Sequence, residues 1–364
     1  MVHVAQLVRA SDCGSEGRGF ESHLAPKREC QTSGILFFVS MKKDAVKYRY
    51  LEIRHVLNEY FMALTSLKWR YEPAPVKGAD AVVCIDGRHY HGGLCDRFKG
   101  IITLYAYCKQ RGLGFRILHN HPFLLEDYLI PATYDWLLKP GEWTTNIRYC
   151  RFFHARGERL SRRLTKLKTS KQIHYDCNRN NLETLNAEGG TNYKWGELFL
   201  ELFRPAPDMA ARLQALKAKI GAPYHASVFR FQNLLGDFKE YRYKALESKE
   251  SRNKLISKCL NALKKRMEEC GGKPMLVTSD SVTFLEAAAR IPGVYTIPGT
   301  VVHMGGGGKV AGNSYEVYMK SFLDFYMLSE AESVACIGTS KMYPSGFPAY
   351  AAVVYEIPFV RIQA

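Results

Sequence analysis

Residues 275 to 297, MLVTSDSVTFLEAAARIPGVYTI, give the clearest indication of the fold of this chain. This stretch opens with a short apolar run rich in β-branched residues, which is typical of a buried strand. The pattern then predicts a helix from 282 to 290 and a second strand from 293 to 297. A strand, a helix and a strand in this order predict two parallel strands, with ligands bound beyond their carboxyl ends.

The same alternation continues on both sides of this stretch. Strands are predicted at residues 224 to 231, 333 to 337 and 354 to 357, and helices at 248 to 270, 314 to 329 and 345 to 353. Strict alternation of this kind indicates a doubly wound parallel sheet. We therefore predict a Rossmann-like C-terminal domain over residues 206 to 364.

A second unit of the same kind lies earlier in the chain. Its strands are predicted at 79 to 86 and 115 to 119, joined by a glycine-bearing loop and a helix from 96 to 111. Further helices are predicted at 44 to 68, 193 to 203 and 208 to 219, and a strand near 146 to 153. Pro205 and Pro207 mark a hinge. The sequence thus predicts an α/β protein with two Rossmann-like domains, residues 41 to 205 and 206 to 364, that face a cleft.

Composition narrows the class of protein. With 46% hydrophobic and 24% charged residues, the 364-residue chain can bury a core, which excludes disordered and coiled-coil proteins. No run approaches the roughly 18 apolar residues of a membrane span, so we expect a cytoplasmic protein. Its ten cysteines include no C-x-x-C pair, and we expect reduced, mostly buried thiols and no metal site.

The formal net charge of +16 indicates an anionic partner. The first 40 residues carry four basic and four acidic groups, so the whole excess belongs to the rest of the chain. Residues 1 to 40 show no helical or strand period, and VAQLVRASDCGSEGRGFESH resembles the peptide encoded when a reading frame crosses a bacterial tRNA gene. We expect a native start at Met41 and a spurious or disordered extension before it.

A basic segment covers residues 151 to 171, with eight Lys and Arg against the single Glu158. Leu160, Leu164 and Leu167 share one side of a predicted helix, so the basic residues crowd the rest. Such a helix is either an ordinary solvated face or a contact with an anionic membrane surface through residues 156 to 171. In the second case the protein would lie at the inner face of the membrane.

Four motifs at predicted strand ends are candidates for anion or nucleotide binding. Their residues are Gly92, Gly93, Asp96 and Arg97 in the first; Arg230 in the second; Ser279 and Asp280 in the third; and Thr339, Ser340 and Lys341 in the fourth. Amides at a helix start attract anions, and arginine pairs bidentately with phosphate. The first three motifs also have a structural interpretation, respectively a tight turn, a salt bridge of Arg230 to Asp237 and a helix cap. The glycine run in HMGGGGK, residues 303 to 309, is either a lid or a flexible loop.

Four segments together resemble the fucosyltransferase-like glycosyltransferases, which include nodulation, core α-1,6 and protein O-fucosyltransferases. They are IDGRHYHGGLCDRFKGI (85 to 101), SVFRF (227 to 231), LVTSDS (276 to 281) and KSFLDFYMLSEAESVACIGTSKMYPSGF (320 to 347). The resemblance implies a divergent bacterial member with a GT-B architecture. It also implies inverting, metal-independent transfer from GDP-fucose or a related GDP-sugar to a glycan or lipid-linked acceptor, with no cofactor.

The resemblance also implies roles for individual residues. Arg230 matches an arginine that binds the donor diphosphate, Ser279 and Asp280 match a pair near the nucleoside, and Thr339 and Ser340 match a phosphate-binding turn. Gly93, Asp96 and Arg97 match the family's glycine loop. Asp96 and Arg230 are therefore the candidate catalytic residues, and Gly92 and Lys341 complete the expected donor site. For the base that accepts the acceptor's proton, Asp86, His89, His91 and Asp96 stay open.

The family's histidine and second arginine beside Arg230 are replaced by apolar residues, which include Phe229 and Phe231. A sugar-nucleotide-binding relic without activity therefore remains an alternative. A nucleic-acid-binding protein is a further alternative, argued from charge alone. Because no helix-turn-helix, zinc-finger or RNA-recognition signature is present, we expect no nucleic-acid partner.

Overall fold

The computed structural model describes residues 57, 61, 72–88, 91–155, 170–221, 223–237, 244–299, 301, 302, 304 and 314–364. By its internal contacts the chain divides into two compact units, residues 1–58 and 59–364. The predictions for residues 1 to 40, for the basic helix and for the glycine run at 305 to 308 fall outside the described residues, as does His89. Of the predicted helix at 44 to 68, Leu57 and Phe61 are described, and both are helical.

The first sheet of the larger unit has four parallel strands in the order β2-β1-β5-β4. These are β1 (Ala81–Ile85), β2 (Phe115–His119), β4 (Cys150–Ala155) and β5 (Gln172–Cys177). All five residues of β1 are buried, as its apolar β-branched sequence predicts. Helix α1 (Leu94–Arg111) connects β1 to β2, and α2 (Leu182–Gly189) follows β5.

The second sheet has five parallel strands in the order β11-β10-β7-β8-β9. Its strands are β7 (His225–Phe229), β8 (Met275–Ser279), β9 (Val294–Thr296), β10 (Val334–Gly338) and β11 (Phe359–Gln363). The connecting helices are α5 (Lys249–Glu269), α6 (Val282–Ala288), α7 (Ser314–Ser329) and α8 (Phe347–Val354). Two parallel sheets with helical crossovers confirm the predicted α/β class.

Three shorter elements lie between the two sheets in the chain. Helix α3 (Trp195–Leu202) is followed by β6 (Phe203–Pro205), which pairs antiparallel with β3 (Leu129–Pro131). Helix α4 (Pro207–Ile220) then leads to β7. The strands of the two sheets thus fall on either side of the predicted boundary at residues 205 and 206, and the division into two domains stays a prediction.

Aromatic side chains form much of the core between the helices of the two halves. The Phe98 ring of α1 lies 5.1 Å from Phe199 of α3 and 5.4 Å from Phe325 of α7, measured between ring centroids. A separate apolar cluster, which includes Phe229 and Phe284, covers the other face of the second sheet. Helix α7 therefore packs on helices that follow strands of the first sheet.

Several elements differ from the sequence prediction, including the short strands β3 and β6, which were not predicted. The strand expected at 354 to 357 is wrong: α8 continues to Val354, Glu356 has a φ of 54°, and the strand begins at Phe359. The Ile357 amide donates to Ala352 O at 3.0 Å, which is the bond that closes a helix in a Schellman turn. Strand β5 and helix α2 were not predicted at all. All six residues of β5 are buried, yet Gln172, His174 and Asp176 are polar, whereas a strand buried on both faces is expected to be almost entirely apolar.

The eight cysteines among the described residues are buried free thiols, as predicted. Burial raises the pKa of Cys177 to about 11, so this thiol is protonated at neutral pH. Over the ranges that the structure describes, no helix has the length and apolarity needed to cross a membrane.

Candidate functional site

The strand order places three of the predicted motifs at one edge of the second sheet. From β7 the chain moves outward through β8 to β9 and then returns to the other side of β7 to form β10. Arg230 follows β7, Asp280 follows β8, and Thr339 follows β10. In open parallel sheets, ligands bind beyond the carboxyl ends of the strands at such a reversal of direction. The topology therefore groups these residues where a ligand site is expected.

Arg230 and Asp280 form a salt bridge at this edge. The Phe229 and Ser279 positions are paired in the ladder between β7 and β8, so the next residue of each strand lies beside its counterpart. Arg230 Nη1 lies 2.9 Å from Asp280 Oδ2, and their side chains are 20% and 1% exposed. The pairing of Arg230 with Asp237, considered from the sequence, is wrong, because Asp237 instead accepts bonds from Ser281 and Thr283.

Asp280 also accepts two backbone N–H groups. Phe231 N donates to Oδ1 at 2.8 Å and Gln232 N donates to Oδ2 at 2.7 Å. Burial raises the pKa of Asp280, although the Arg230 charge and these two amides act in the opposite direction. The carboxylate is thus held by three donors that all come from the end of β7.

The neighbouring serines serve the start of helix α6. Ser281 is its N-cap, with Oγ accepting from Phe284 N at 3.1 Å. Ser279 Oγ accepts from Ser281 N at 3.1 Å. Both serines are buried, so the predicted cap is confirmed for Ser281, and a nucleoside contact of Ser279 stays a prediction.

The fourth motif forms a turn beyond β10. Met342 N donates to Thr339 O at 3.0 Å, and Ser340 and Lys341 are exposed on the turn. The Thr339 hydroxyl is buried and has no hydrogen-bond partner among the described residues. A buried hydroxyl without a partner is unfavourable, so this group is available to a ligand oxygen.

The glycine loop leads directly into α1, with Gly92 buried and Gly93 partly exposed. Gly92 has a φ of 71°, where a side chain is disfavoured, and Gly93 is the N-cap residue. The Asp96 carboxylate folds back over Gly92, and a Cβ there would lie 2.6 Å from Asp96 Oδ2. Lys99 Nζ donates to Asp96 Oδ1 at 2.9 Å, while the Asp96 side chain is 37% exposed. Asp96 is therefore an accessible carboxylate with a cationic neighbour.

Arg97 lies in the first turn of α1, just after this loop. Its side chain points inward and is only 2% exposed. Its Nη1 donates to His121 O at 2.7 Å, and its Nη2 donates to Met304 O at 3.2 Å. Nη1 also lies 3.3 Å from His119 Nε2. Burial, followed by the Arg97 charge, holds the pKa of His119 well below its ordinary value, so neutral His119 can accept from Arg97. The contacts of Arg97 thus tie the glycine loop to the segment after β9.

The starts of α1 and α8 are in contact with each other. Cys95 Sγ lies 3.9 Å from Phe347 O, and Lys99 Nζ lies 4.9 Å from the centroid of the Tyr350 ring. The glycine loop immediately precedes α1, and the turn that begins at Thr339 precedes α8. The fold therefore brings the first and the fourth predicted motifs close together, at two helix N-termini that favour anions.

Two candidate bases lie at the carboxyl end of the first sheet. Asp86 accepts from Arg88 Nε at 2.6 Å and from Arg88 N at 3.1 Å. Burial acts to raise the pKa of Asp86, but the hydrogen bonds and charge of Arg88 outweigh burial and lower it. Asp86 is therefore ionised at neutral pH, but its carboxylate is already hydrogen-bonded to Arg88.

His91 is buried and both of its ring nitrogens are in contact with other groups. Nε2 accepts from Gly87 N at 3.2 Å, which leaves the proton on Nδ1, 3.1 Å from Asp176 Oδ1. Asp176 belongs to β5, the strand that the sequence did not predict, so its partnership with His91 was missed as well. Alternation of apolar and polar residues in QIHYDC is the signal that could have indicated this strand.

Within the described ranges, no group of His, Cys, Asp and Glu is arranged to hold a metal ion. No family model and no curated protein matches the chain.

The solved structures that match the chain include several fucosyltransferases. NodZ α-1,6-fucosyltransferase co-crystallised with GDP is 13% identical, with 76% of this chain and 92% of that chain covered and a TM-score of 0.47. A mutant of Arabidopsis thaliana FUT1 in complex with GDP is 13% identical, with 84% and 74% covered and a TM-score of 0.49. POFUT1 in complex with GDP is 10% identical, with 79% and 99% covered and a TM-score of 0.42. Since these scores lie below 0.5, the α/β class rests on the strand order described above.

Proposed function

We propose that this protein is a glycosyltransferase that moves fucose or a related sugar from a GDP-sugar to a glycan or lipid-linked acceptor, with inversion and without a metal ion. The observation that carries the proposal is the partly exposed Arg230 guanidinium at the reversal of strand order in the second sheet. The turn with the unpartnered Thr339 hydroxyl follows the neighbouring strand. The motif resemblance supplies the nature of the donor.

The chemistry follows from the charge that develops on the donor. The bond between the sugar C1 and the β-phosphate oxygen breaks, and the negative charge passes to the diphosphate. Arg230, Lys341 and the amides at the start of α8 would stabilise that charge. Thr339 and Ser340 would donate to phosphate oxygens. Arginine and lysine can serve here in place of a divalent cation.

On the other side of the sugar, an acceptor hydroxyl forms the new bond to C1 and releases its proton. We assign Asp96 as the base because, among the described candidates, its carboxylate is the most exposed, whereas His91 is buried and Asp86 is bonded to Arg88. The neighbouring Lys99 keeps the Asp96 carboxylate close to a positive charge. Gly92 and Gly93 would let the acceptor or donor approach the main chain.

Calorimetric titration of the full-length protein with GDP tests this proposal, with UDP and ADP as comparisons. We expect binding of GDP and transfer or slow hydrolysis of GDP-fucose. Arg230→Ala should weaken GDP binding by roughly 2 to 4 kcal/mol, because the contact is charged and partly desolvated. Arg290→Ala, at an exposed arginine beyond α6, is the matched control and should leave the affinity unchanged.

The alternatives give different results in the same experiments. A relic without activity would bind GDP but neither transfer nor hydrolyse the sugar. A nucleic-acid-binding protein would ignore GDP at millimolar concentration and bind DNA or RNA in a salt-dependent manner. Failure to bind GDP would remove both the enzyme and the relic.

A further inference from the structure

The Asp280 carboxylate is enclosed by the end of β7. Its side chain is 1% exposed, and three donors occupy it: Phe231 N at 2.8 Å, Gln232 N at 2.7 Å and Arg230 Nη1 at 2.9 Å. In addition, Ser279 Oγ lies 3.5 Å from Asp280 Oδ1. The Arg230 side chain, by contrast, is 20% exposed. Of these two side chains, the Arg230 guanidinium is the one that a ligand can contact.

The two backbone contacts fix the course of the chain after β7. Gln232 has a φ of 53°, a left-handed conformation that is uncommon for residues other than glycine. Its amide donates to Asp280, and its side chain is buried. A carboxylate at this position therefore holds the turn of residues 230 to 232 in one conformation, and with it the base of the Arg230 side chain.

We infer that Asp280 is a positioning residue that aims Arg230 at the donor diphosphate and does not itself contact the nucleoside. The inference rests on the proposed function for the identity of the ligand. The coupling between Asp280 and Arg230 can be measured without any ligand. This role differs from the nucleoside contact that the sequence resemblance implies for Asp280.

The test is a double-mutant cycle of Arg230→Ala, Asp280→Asn and the double variant. In urea unfolding, we expect the effects of the two substitutions to be strongly non-additive. In binding, Asp280→Asn should weaken GDP and inorganic pyrophosphate by about thirtyfold in the wild-type background, as expected for loss of a buried charged hydrogen bond. In the Arg230→Ala background it should weaken them by less than about threefold, and it should change the affinity for guanosine by no more than that.

Asp237→Asn is the matched control. Asp237 caps the same helix α6, with Oδ2 accepting from Ser281 Oγ at 2.7 Å and from Thr283 N at 2.9 Å. Its substitution should lower stability additively with Arg230→Ala and leave the affinities unchanged. If Asp280→Asn does not fold, Asp280→Glu replaces it, because the longer side chain cannot keep all three donors.

Two results would overturn the inference. The first is an equal loss of GDP and guanosine affinity in Asp280→Asn that persists without Arg230, which would make Asp280 a nucleoside ligand. The second is additivity in the unfolding cycle, which would show that the two residues act independently. Wild-type protein that binds neither GDP nor pyrophosphate would refute the proposed function and this use of Asp280 with it. Strong coupling in urea would then establish only a structural pair.

Discussion

Lys320 Nζ lies 2.5 Å from both carboxylate oxygens of Asp324, one turn further along helix α7. The two side chains are 1% and 6% exposed, and the alkyl part of Lys320 lies against Gly299. Burial raises the pKa of Asp324, while the Lys320 charge opposes that rise. Helix α7 thus carries a buried ion pair, although many of its other buried residues are apolar.

Asp324→Asn is expected to destabilise the protein by about 3 to 5 kcal/mol, because it leaves the buried ammonium without a counter-charge. Lys320→Met combined with Asp324→Leu should be close to wild type or more stable, since both desolvation costs disappear. Urea unfolding measures both changes. A loss below about 1 kcal/mol in the single variant would show that water or another group replaces the carboxylate.

Arg97→Lys should lower the free energy of unfolding by roughly 2 to 4 kcal/mol, although it keeps the positive charge. A lysine cannot reach the His121 and Met304 carbonyls together, so buried acceptors are left without donors. Urea unfolding should show this loss. Arg111→Lys, at the exposed end of α1, is the control and should stay within about 0.5 kcal/mol. Equal stability of the two variants would contradict a structural role for Arg97.

Gly100→Ala should destabilise the protein by about 2 kcal/mol, although alanine favours a helix by roughly 0.5 to 1 kcal/mol. A Cβ at this position would lie 1.9 Å from Cys177 O, so α1 could no longer pack closely on β5. Gly196→Ala should behave alike, because its Cβ would lie 2.4 Å from Val353 O. Thermal unfolding decides the sign: a higher melting temperature for either variant would mean that helix propensity prevails over the close contact.

The protein should become less stable as the pH falls, because of the buried side chain of His174. Burial lowers the pKa of His174 to about 3, from an ordinary value near 6.5. Between these values the unfolded chain binds a proton that the folded protein excludes, so this contribution is complete above about pH 6.5 and is lost as the pH falls. The expected slope is about 1.4 kcal/mol per pH unit.

The variant His174→Phe isolates that contribution. In the wild-type protein the His174 and Trp143 ring centroids lie 4.0 Å apart, and a phenylalanine ring can keep this stacking but cannot bind a proton. Urea midpoints should be compared from pH 8 to pH 4.5. The stability difference between wild type and variant should be constant at high pH and move in favour of the variant below about pH 6.5. Parallel curves would mean that His174 takes up its proton in the folded state.

The basic segment at 156 to 171 predicts salt-sensitive binding to anionic vesicles, at about 1 kcal/mol per basic residue near the surface. Charge reversal of Arg159, Arg162 and Arg163 to Glu should abolish sedimentation with vesicles rich in phosphatidylglycerol and leave GDP affinity unchanged. Vesicles of phosphatidylcholine are the neutral control. If the wild-type protein stays in solution at low salt, the segment is only a solvated helix face.

The sequence alone predicts most of the second sheet, and β11 is the strand that it misplaces. Apolar runs such as residues 275 to 278 and helical periods such as residues 314 to 329 are local patterns, and each was predicted within one or two residues of its observed bounds. Their strict alternation also indicated parallel strands, and so placed Arg230, Asp280 and Thr339 at strand ends. These inferences succeed because strand and helix periods are imposed by burial of one face along the chain.

The partners of these residues depend on the tertiary structure. Strand β5 carries Gln172, His174 and Asp176 in buried positions. Gln172 and Asp176 bond to residues distant in the chain, such as His91 for Asp176, and His174 bonds to Gln172. Asp280 and Arg230 are 50 residues apart in sequence yet adjacent in space, through the register of β7 and β8. Most buried polar side chains in proteins have a hydrogen-bond partner, because an unpaired one is costly. That partner is supplied by strand order and register, which no local pattern encodes.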